Sequence, residues 1–383
     1  MGIRLLRWHQ DSRRTRTAAA RQARSRARGA DRHGQERWVP LRAGEGRSRG
    51  QGKRRPARVR CRDRGGAVID SPVTITEGSL APSSVTEVLS LVSAAHAADG
   101  FAPLSEDALL HVRHPSADGT RDFQLRLAGG TLGGYSQLAL AEAEGEAGGD
   151  SPGEEWSGEL VIHPGHRNQG LGTALAGALT GGDDGRDIRI WAHGDLPAAA
   201  ALAKSAGFAR IRSLYQMRMS LAGAALPEPV FPAGVTVRTF RPGQDEEAWL
   251  GVNGRAFAHH PEQGSWTRQD IDLREAEPWF DPDGFFLAER DGELAGFHWT
   301  KVHANGGEGG TPIGEVYVVG VDPGRQGGGL GRALTLVGLT HLRRLGLDAV
   351  LLYVDESNTA AVRMYAGLGF TRWSTDVMYQ HPG

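Results

Sequence analysis

A glycine-rich loop in the second half of the chain has the composition of a phosphate-binding turn. It reads Gln326-Gly-Gly-Gly-Leu-Gly331 and lies between a β-rich run and a helical pattern. Free backbone N–H groups at a helix N-terminus attract phosphate, and glycines let the backbone close on a diphosphate. The loop therefore predicts a diphosphate site, although an ordinary connecting turn can have the same composition.

The residues of this loop exclude two common adenine-nucleotide motifs. A Walker loop ends in Gly-Lys-Ser or Gly-Lys-Thr, whereas Gly331 is followed by Arg332 and Ala333. A Rossmann fingerprint requires the spacing GxGxxG, which this loop does not provide. Neither a P-loop nor a dinucleotide-binding unit is therefore expected.

The loop occurs twice in the chain. The segment Val161-Ile-His-Pro164, followed by Arg167, Gly170 and Gly172, recurs at an offset of 159 residues as Gly320-Val-Asp-Pro323, followed by Gln326, Gly329 and Gly331. Gly207-Phe208 recurs as Gly369-Phe370, and Val73 as Val235, both at an offset of 162 residues. This spacing predicts two related domains, 70–222 and 233–380, joined by the Pro-bearing linker 223–232.

The second domain is expected to alternate strands and helices. Its periodicity predicts strands at 235–239, 285–289, 294–302, 314–321 and 349–354, and helices at 246–258, 330–345 and 359–368. The turn Arg290-Asp-Gly-Glu293 predicts a hairpin. The first domain has the same pattern, with an acidic loop at 141–155. This order predicts an α/β fold with a mixed sheet and helices on its faces.

The loop, the strand before it and a Tyr-x-x-x-Gly-Phe helix behind it resemble the GCN5-related N-acetyltransferase superfamily over nearly all of 233–380. The resemblance implies two tandem GCN5-related N-acetyltransferase domains, each a mixed, mostly antiparallel sheet flanked by helices, and acetyl-CoA (coenzyme A) as cofactor. In the second domain it assigns cofactor contacts to Val319, Gly320, Val321, Gln326, Gly327, Gly328, Gly329, Leu330, Gly331, Arg332, Asn358, Thr359, Ala360, Ala361, Val362 and Arg363. Glycines stand at 327 and 328 where the family often has arginines, so Arg325 or Arg332 would compensate. In the first domain a second acetyl-CoA could contact Leu160, Val161, Ile162, Asn168, Gln169, Gly170, Leu171, Gly172 and Thr173.

Acetyl transfer from a thioester to an amine needs a base for the amine and is helped by an acid for the leaving thiolate. Glu315 is the candidate base because it lies on the strand before the loop, a few residues ahead of the expected thioester. Tyr365 occupies the superfamily's position for the acid, and backbone N–H groups near Val319 would hold the oxyanion. A solvated strand carboxylate and a core tyrosine are the ordinary alternatives.

The first domain repeats the loop without this chemistry. Counted from the shared proline, Glu315 corresponds to Trp156, and counted from the shared Gly-Phe, Tyr365 corresponds to Ala203. Glu159, three positions after Trp156, is expected on the other face of a strand with period two. The first domain is therefore expected to be catalytically silent.

Three segments of the second domain, 260–267, 279–284 and 296–303, are rich in His, Trp and acidic residues. Together with 191–194, 314–322 and 352–355 they resemble the mycothiol synthase family, itself a tandem of two such domains, over 70–380. The resemblance implies acetylation of the cysteinyl α-amine of cysteinyl-glucosaminyl-inositol. It assigns substrate contacts to Glu106, Glu262, Lys301, Glu315 and Tyr353, each with a surface, loop or core role as its alternative.

Charge separates residues 1–66 from the rest of the chain. They hold 20 Arg and one Lys against five Asp or Glu, whereas the remainder is acidic, so the net charge of −1 is a cancellation. Few aliphatic residues and little apolar periodicity predict a disordered arm. Such an arm could bind nucleic acid or anionic lipid, but translation of GC-rich DNA upstream of the true start is the interpretation that we favour.

Composition limits the remaining classes. Cys61 is the only cysteine and lies in the arm, so disulfides and Cys-based zinc sites are not expected in the folded part, and no metal is implied. No apolar run reaches the roughly 18–20 residues that a membrane span needs. We expect a cytoplasmic, monomeric enzyme for a small molecule. An acetyltransferase for a protein N-terminus or an aminoglycoside, a non-catalytic acetyl-CoA sensor and a nucleic-acid-binding protein are the alternatives.

Overall fold

The computed structural model describes residues 53–62, 68–114, 119–142, 154–182, 185–258, 260–307 and 310–383. Of residues 53–62, 68–71, 142, 261 and 262 it describes the backbone alone. Most of the predicted arm and of the acidic loop 141–155 lies outside these ranges. The described residues form one compact unit.

The strands of the described chain form one continuous sheet of thirteen. In chain order they are β1 Lys53–Arg62, β2 Val68–Glu77, β3 Thr120–Arg126, β4 Leu132–Glu142, β5 Glu154–Ile162, β6 Ile188–Ala192, β7 Ala209–Ser220, β8 Val235–Thr239, β9 Phe285–Arg290, β10 Glu293–His303, β11 Ile313–Val321, β12 Ala349–Asp355 and β13 Thr371–His381. Across the sheet the order is β1-β2-β3-β4-β5-β6-β13-β7-β12-β11-β10-β9-β8. The pairs β5–β6 and β11–β12 are parallel and the others are antiparallel, as predicted.

Helices cover both faces of the sheet. They are α1 Pro82–Asp99, α2 Glu106–Arg113, α3 Leu171–Thr180, α4 Pro197–Ser205, α5 Glu246–Ala256, α6 Pro261–Gly264, α7 Arg268–Glu275, α8 Leu330–Arg344 and α9 Thr359–Ala366. The cores under α3 and α8 lie on the same face of the sheet. Tyr215 packs against the α8 core and pairs with Thr375, so the two side chains share a face. Val377, two residues after Thr375 and therefore on that same face, belongs to the α3 core. The opposite face packs against α1, α2, α5 and α7 and is called the cleft face. None of the helices in the described ranges has the length and apolar character needed to cross a bilayer.

The two sequence repeats exchange a strand. β7 closes the first repeat, yet it pairs with β12 and β13 of the second. β13 in turn pairs with β6 of the first repeat. Each half of the sheet is therefore completed by a strand of the other, and the region where β6, β13, β7 and β12 meet is called the seam. The predicted linker 223–232 contains neither helix nor strand.

Ten residues of the predicted arm belong to the sheet. β1 pairs antiparallel with β2, from Lys53 opposite Glu77 to Arg62 opposite Val68, so the prediction of disorder is wrong for this stretch. The physical reason is a period of two, since Ala57, Val59 and Cys61 alternate with arginines. The high arginine content obscured that alternation.

The hairpin between β9 and β10 confirms its predicted turn. Asp291 and Gly292 have φ values of 56° and 80°, the left-handed pair that an Asp-Gly turn supplies. The hairpin brings β10 alongside β11, the strand that carries Glu315. The turn therefore fixes how β10 folds back on β9, the strand on its other side.

Candidate active site

A β-bulge interrupts β11, the strand that precedes the second glycine-rich loop. Trp299 lies opposite Val318 and Thr300 lies opposite Val316, which leaves Tyr317 as the extra residue. A bulge disrupts the ladder locally and re-aims the side chains around it. Among the described residues, the parallel pairing with β12 ends at Val316, next to the bulge. Beyond Val316 the backbone of β11 is therefore not paired with β12, and this unpaired stretch between the two strands is called the slot.

Glu315 lies on the cleft face at the mouth of this slot. It is directly opposite Lys301 on β10, and 6% of its surface is exposed. Its Oε2 is 2.6 Å from Nε2 of His303, whose side chain is 34% exposed. His303 was not predicted as a site residue, although it lies two positions after Lys301 and therefore on the same face. The carboxylate is thus held by an imidazole that reaches solvent.

Two of the predicted substrate residues, one from each half, form an ion pair. The ammonium of Lys301 contacts the carboxylate of Glu106, at the start of α2, and the Tyr317 hydroxyl donates to that carboxylate at 2.6 Å. Burial opposes ionisation of Glu106, but Lys301 and Tyr317 lower its pKa below the ordinary value. The Lys301 ammonium also lies 4.2 Å from the centre of the Trp279 ring. The cleft is therefore bounded by both repeats.

A buried arginine that the sequence did not reveal supports this wall. Arg274 of α7 is 2% exposed, and its Nε donates to the Tyr317 hydroxyl at 2.9 Å. Its guanidinium stacks 3.7 Å from the centre of the Trp266 ring and pairs with Asp107 of α2. These contacts fix the orientation of the bulged tyrosine.

The other two predicted substrate residues are placed differently. Tyr353 on β12 is 44% exposed, and its hydroxyl accepts a hydrogen bond from Gln216 Nε2 at 2.6 Å. Desolvation of that hydroxyl, with the charges of Glu315 and Asp376, raises its pKa. Glu262 lies in α6, and its side chain is outside the described part of the structure. Glu106, Lys301, Glu315 and Tyr353 thus face one cleft.

Tyr365 lies on the opposite side of the sheet from Glu315. It is buried in the α8 core and packs its ring 5.8 Å from that of Phe370. Burial raises the pKa of Tyr365 to about 12, so the phenol keeps its proton at neutral pH. An acid and a base on opposite faces can both approach a group in the slot between β11 and β12.

His298, in the His- and Trp-containing segment 296–303, has a structural role. It is fully buried against α8, and its Nδ1 is 2.8 Å from the Leu334 carbonyl oxygen. A Cβ on Gly338 would lie only 2.0 Å from this imidazole. Burial lowers the pKa of His298 to about 4, which keeps the ring neutral.

The second glycine-rich loop has the geometry of an anion site. Gly327, Gly328 and Gly329 all have positive φ, at 101°, 60° and 82°, and Gly329 caps the N-terminus of α8. The first turn of this fifteen-residue helix presents backbone N–H groups, and Arg332 there is exposed. Arg325 is held by Asp291 and Glu293, so Arg332 is the better placed to add charge. The loop therefore fits a pyrophosphate.

The predicted cofactor residues beyond β12 form the first turns of α9. Asn358 is the N-cap, with its side-chain oxygen 3.1 Å from the Ala361 N–H. Thr359, Ala360 and Arg363 are exposed, and Ala361 and Val362 are partly so. Asn358 therefore caps helix α9, and its contact with the cofactor stays a prediction.

The first half lacks the bulge, and this corrects the predicted correspondence. The β4–β5 register runs without a shift from Gly134 opposite Ile162 to Glu142 opposite Glu154. Because β11 holds one extra residue at Tyr317, Glu315 corresponds to Ser157, and Trp156 corresponds to Gly314. Trp156 packs in the α3 core. The prediction that Trp156 replaces Glu315 is therefore wrong by one residue, although a carboxylate is still missing at the position.

Glu159 also differs from its predicted placement. It was expected to face away from the catalytic side, yet it lies on the cleft face, where the Ser105 N–H approaches its Oε1 at 3.4 Å. The strand alternates as expected, but Trp156, the reference for that prediction, itself faces α3.

Ala203, by contrast, is confirmed as the counterpart of Tyr365. The Phe208 N–H donates to the Ala203 carbonyl at 2.9 Å just as that of Phe370 donates to Tyr365 at 3.1 Å.

A cavity of about 650 Å³ lies along the first glycine-rich loop. Its lining includes seven of the predicted first-domain contacts: Leu160, Val161, Ile162, Asn168, Gly170, Gly172 and Thr173. His193 also lines it, with Nδ1 2.9 Å from Asp376. Although burial disfavours its imidazolium, Asp376 and Glu159 raise the pKa of His193 to about 10. This imidazole is therefore a fixed cation at neutral pH and has no free basic nitrogen to offer.

Known proteins share both the fold and the sequence. Residues 255–370 match the family model described as the Acetyltransferase (GNAT) family. A tandem GNAT protein from the clavulanic acid biosynthesis pathway has a TM-score of 0.58 at 23% identity, covering 80% of this chain and 98% of its own. A GCN5-related N-acetyltransferase from Sphaerobacter thermophilus has a TM-score of 0.56 at 23% identity, covering 80% of this chain and 95% of its own. The predicted tandem acetyltransferase fold is confirmed.

Curated relatives are much closer in sequence. The mycothiol acetyltransferase of Thermobispora bispora is 56% identical over 301 residues, covering 78% of this chain and 96% of the relative. That of Streptomyces coelicolor is 52% identical over 305 residues, covering 80% and 94%. The chain is thus an acetyl-CoA-dependent N-acetyltransferase, and it belongs to the mycothiol acetyltransferase family.

Proposed function

We propose that the second half transfers acetyl from acetyl-CoA to the cysteinyl α-amine of cysteinyl-glucosaminyl-inositol, the last step of mycothiol biosynthesis. The observation that carries this assignment is Glu315, held by His303 at 2.6 Å beside the bulge and slot of β11. In the described first half β5 has no bulge, and its cleft-face carboxylate, Glu159, lies 3.9 Å from the cationic His193. The enzyme would act in the cytoplasm, as a monomer, on this small molecule.

Glu315 would act as the general base. An α-amino group has a pKa near 7.7–8.0, so part of it is already unprotonated at neutral pH. A carboxylate is therefore a sufficient base to take up the proton that the amine releases. In this assignment the Nε2–H of His303 donates to Oε2 of Glu315, which leaves Oε1 directed at the amine. The amine nitrogen then forms the new C–N bond while its proton passes to Glu315, directly or through a water molecule.

Tyr365 would protonate the leaving thiolate. Acetyl-CoA supplies the activated acyl group, and expulsion of its sulfur needs a proton to yield the free thiol. The pKa of about 12 keeps the Tyr365 phenol protonated until then. The backbone beside Tyr317 and Val319, interrupted by the bulge, offers N–H groups to the developing oxyanion.

The acceptor would lie on the cleft face between the two halves. Glu106 and Lys301 present one carboxylate and one ammonium there, and Tyr353 adds a hydroxyl. Such groups suit the hydroxyls and the ammonium of a polyhydroxylated amine. Glu262 is the remaining contact in this proposal.

The first half would bind a second acetyl-CoA without turning it over. Its 650 Å³ cavity follows the glycine-rich loop, and this volume is in the usual range for ligand sites. Ser157 and Ala203 stand where a base and an acid would be needed. A supporting rather than catalytic role follows.

The direct test is to incubate the purified protein with acetyl-CoA and cysteinyl-glucosaminyl-inositol and to follow the release of the CoA thiol. Acetylated product, identified by mass spectrometry on the α-nitrogen, is the expected result. Parallel reactions with an aminoglycoside and with a peptide N-terminus probe the alternatives. Turnover of either of these in preference to the cysteinyl acceptor would refute the proposal.

A further inference from the structure

The seam carries an exposed tryptophan beside the active-site cleft. Trp373 lies on β13 at a bulge between Arg372 and Ser374, and 42% of it is exposed. The guanidinium of Arg218 stacks 3.4 Å from its ring centre, and the Phe101 ring is 5.4 Å away. One ring face is thus covered by Arg218, which orients the indole and leaves surface free.

The register places this tryptophan two strands away from the exposed Tyr353, on the same face of the sheet. Tyr353 lies opposite Gln216 on β7, and Gln216 lies opposite Ser374 on β13. Two strand spacings separate Tyr353 from Ser374, roughly 9–10 Å. Gln216 spans the gap and donates to the Tyr353 hydroxyl. Two exposed aromatic residues, Tyr353 and Trp373, thus lie on strands on either side of the Gln216 amide.

This surface is continuous with the base. Glu315 lies opposite Leu351 on β12, two residues before Tyr353, and its charge contributes to the raised pKa of Tyr353. Asp376, two residues beyond Ser374, contributes as well. An acceptor whose amine reaches Glu315 would therefore extend its remaining rings across the seam.

We propose that the seam surface, defined as Tyr353, Gln216, Arg218 and Trp373, binds a polyhydroxylated six-membered ring of the acceptor. The C–H face of such a ring packs on an indole, which offers a large rigid apolar area at low entropic cost. The hydroxyls at its edge meet the Gln216 amide and the Tyr353 hydroxyl. This inference rests on the proposed function and explains the strand exchange, because both β7 and β13 are needed to build the surface.

The test is Trp373→Leu, measured with two acceptors. One is cysteinyl-glucosaminyl-inositol and the other is L-cysteinamide, which has the same reacting amine without the rings. We expect KM for the ring-bearing acceptor to rise about ten-fold. KM for acetyl-CoA and kcat/KM for cysteinamide should stay unchanged. Trp373→Phe should restore most of the affinity, and Leu345→Ala, at an exposed leucine after α8, is the matched control.

Binding provides a second measurement that does not depend on the leucine variant folding. Titrating the ring-bearing acceptor into the wild-type protein with CoA should change the tryptophan fluorescence, and Trp373→Phe should reduce that change, leaving the part that comes from Trp279 beside Lys301. An unchanged acceptor KM in folded Trp373→Leu, an equal loss with both acceptors, or an unaltered signal in Trp373→Phe would overturn the inference. Failure of the wild-type enzyme to acetylate the ring-bearing acceptor at all would instead refute the proposed function.

Discussion

Glu106 of the first repeat and Lys301 of the second form an ion pair across the cleft, and the hydroxyl of the bulged Tyr317 donates to the same carboxylate. Lys301 lies directly opposite Glu315 on the neighbouring strand. Lys301 therefore connects Glu106 of the first repeat to the strand position of the candidate base, Glu315. The acceptor site that we propose therefore draws on both halves.

Glu106→Gln should raise KM for the acceptor about ten-fold while leaving KM for acetyl-CoA unchanged. The amide keeps the shape of the side chain but leaves the buried Lys301 without its counter-charge. Steady-state kinetics with each substrate varied in turn measures the contrast. Glu87→Gln, which removes the exposed pair with Arg126, is the control and should alter neither constant. Equal effects on both KM values would argue against an acceptor role for Glu106.

Glu315→Gln should lower kcat by roughly 100-fold without changing the thermal midpoint by more than a few degrees, because a general base contributes about that factor. Glu293→Gln, an exposed carboxylate on the neighbouring strand, is the matched control. Turnover close to that of the wild type in Glu315→Gln would eliminate Glu315 as the base.

His303→Leu should lower kcat about ten-fold and leave KM for acetyl-CoA unchanged, since the hydrogen bond to Glu315 Oε2 orients the base rather than the cofactor. His303→Gln places an N–H donor near the position of Nε2 and should recover most of the lost rate. If both variants were equally impaired, the orienting hydrogen bond would not explain the effect of His303.

His298 should make stability depend on pH. Its pKa is about 4 in the folded protein and about 6.5 when unfolded, so below pH 6.5 the unfolded chain binds the extra proton. The stabilisation present above pH 6.5 is therefore lost as pH falls towards 4, by about 3 kcal/mol. The free energy of unfolding, measured with urea between pH 7 and 4, should depend less on pH in His298→Asn than in the wild type. Asparagine keeps a hydrogen-bond donor for the Leu334 carbonyl. Parallel curves would contradict a neutral, buried His298.

Local signals in the sequence predicted the local structure. The Asp-Gly turn gives the β9–β10 hairpin, and the repeated Gly-Phe marks Ala203 as the counterpart of Tyr365. Each depends on a few neighbouring residues with strong conformational preferences. The two loops are likewise recognisable because positive φ requires glycine or, at position 168, asparagine.

Non-local features could not be obtained in this way. The bulge at Tyr317 adds one residue without any break in the apolar pattern, so counting from the proline shifts the correspondence from Ser157 to Trp156. His303 and Arg274 acquire their roles through partners brought near by pairing and packing. The strand exchange depends on whether β7 and β13 pair within their own repeat or with the other repeat. The strands at both edges have the same alternating pattern, so the sequence does not distinguish the two pairings.

The last prediction tests the division of labour between the halves by placing the same charge in each loop. Gly170 and Gly329 both precede a helix in the left-handed conformation, with φ of 77° and 82°, so aspartate meets similar backbone strain at either site. Gly329→Asp should abolish turnover because its carboxylate repels the pyrophosphate of the acetyl donor. Gly170→Asp should leave kcat nearly unchanged, since it would repel only a non-reacting cofactor. Equal loss of turnover in two folded variants would exclude a single active site.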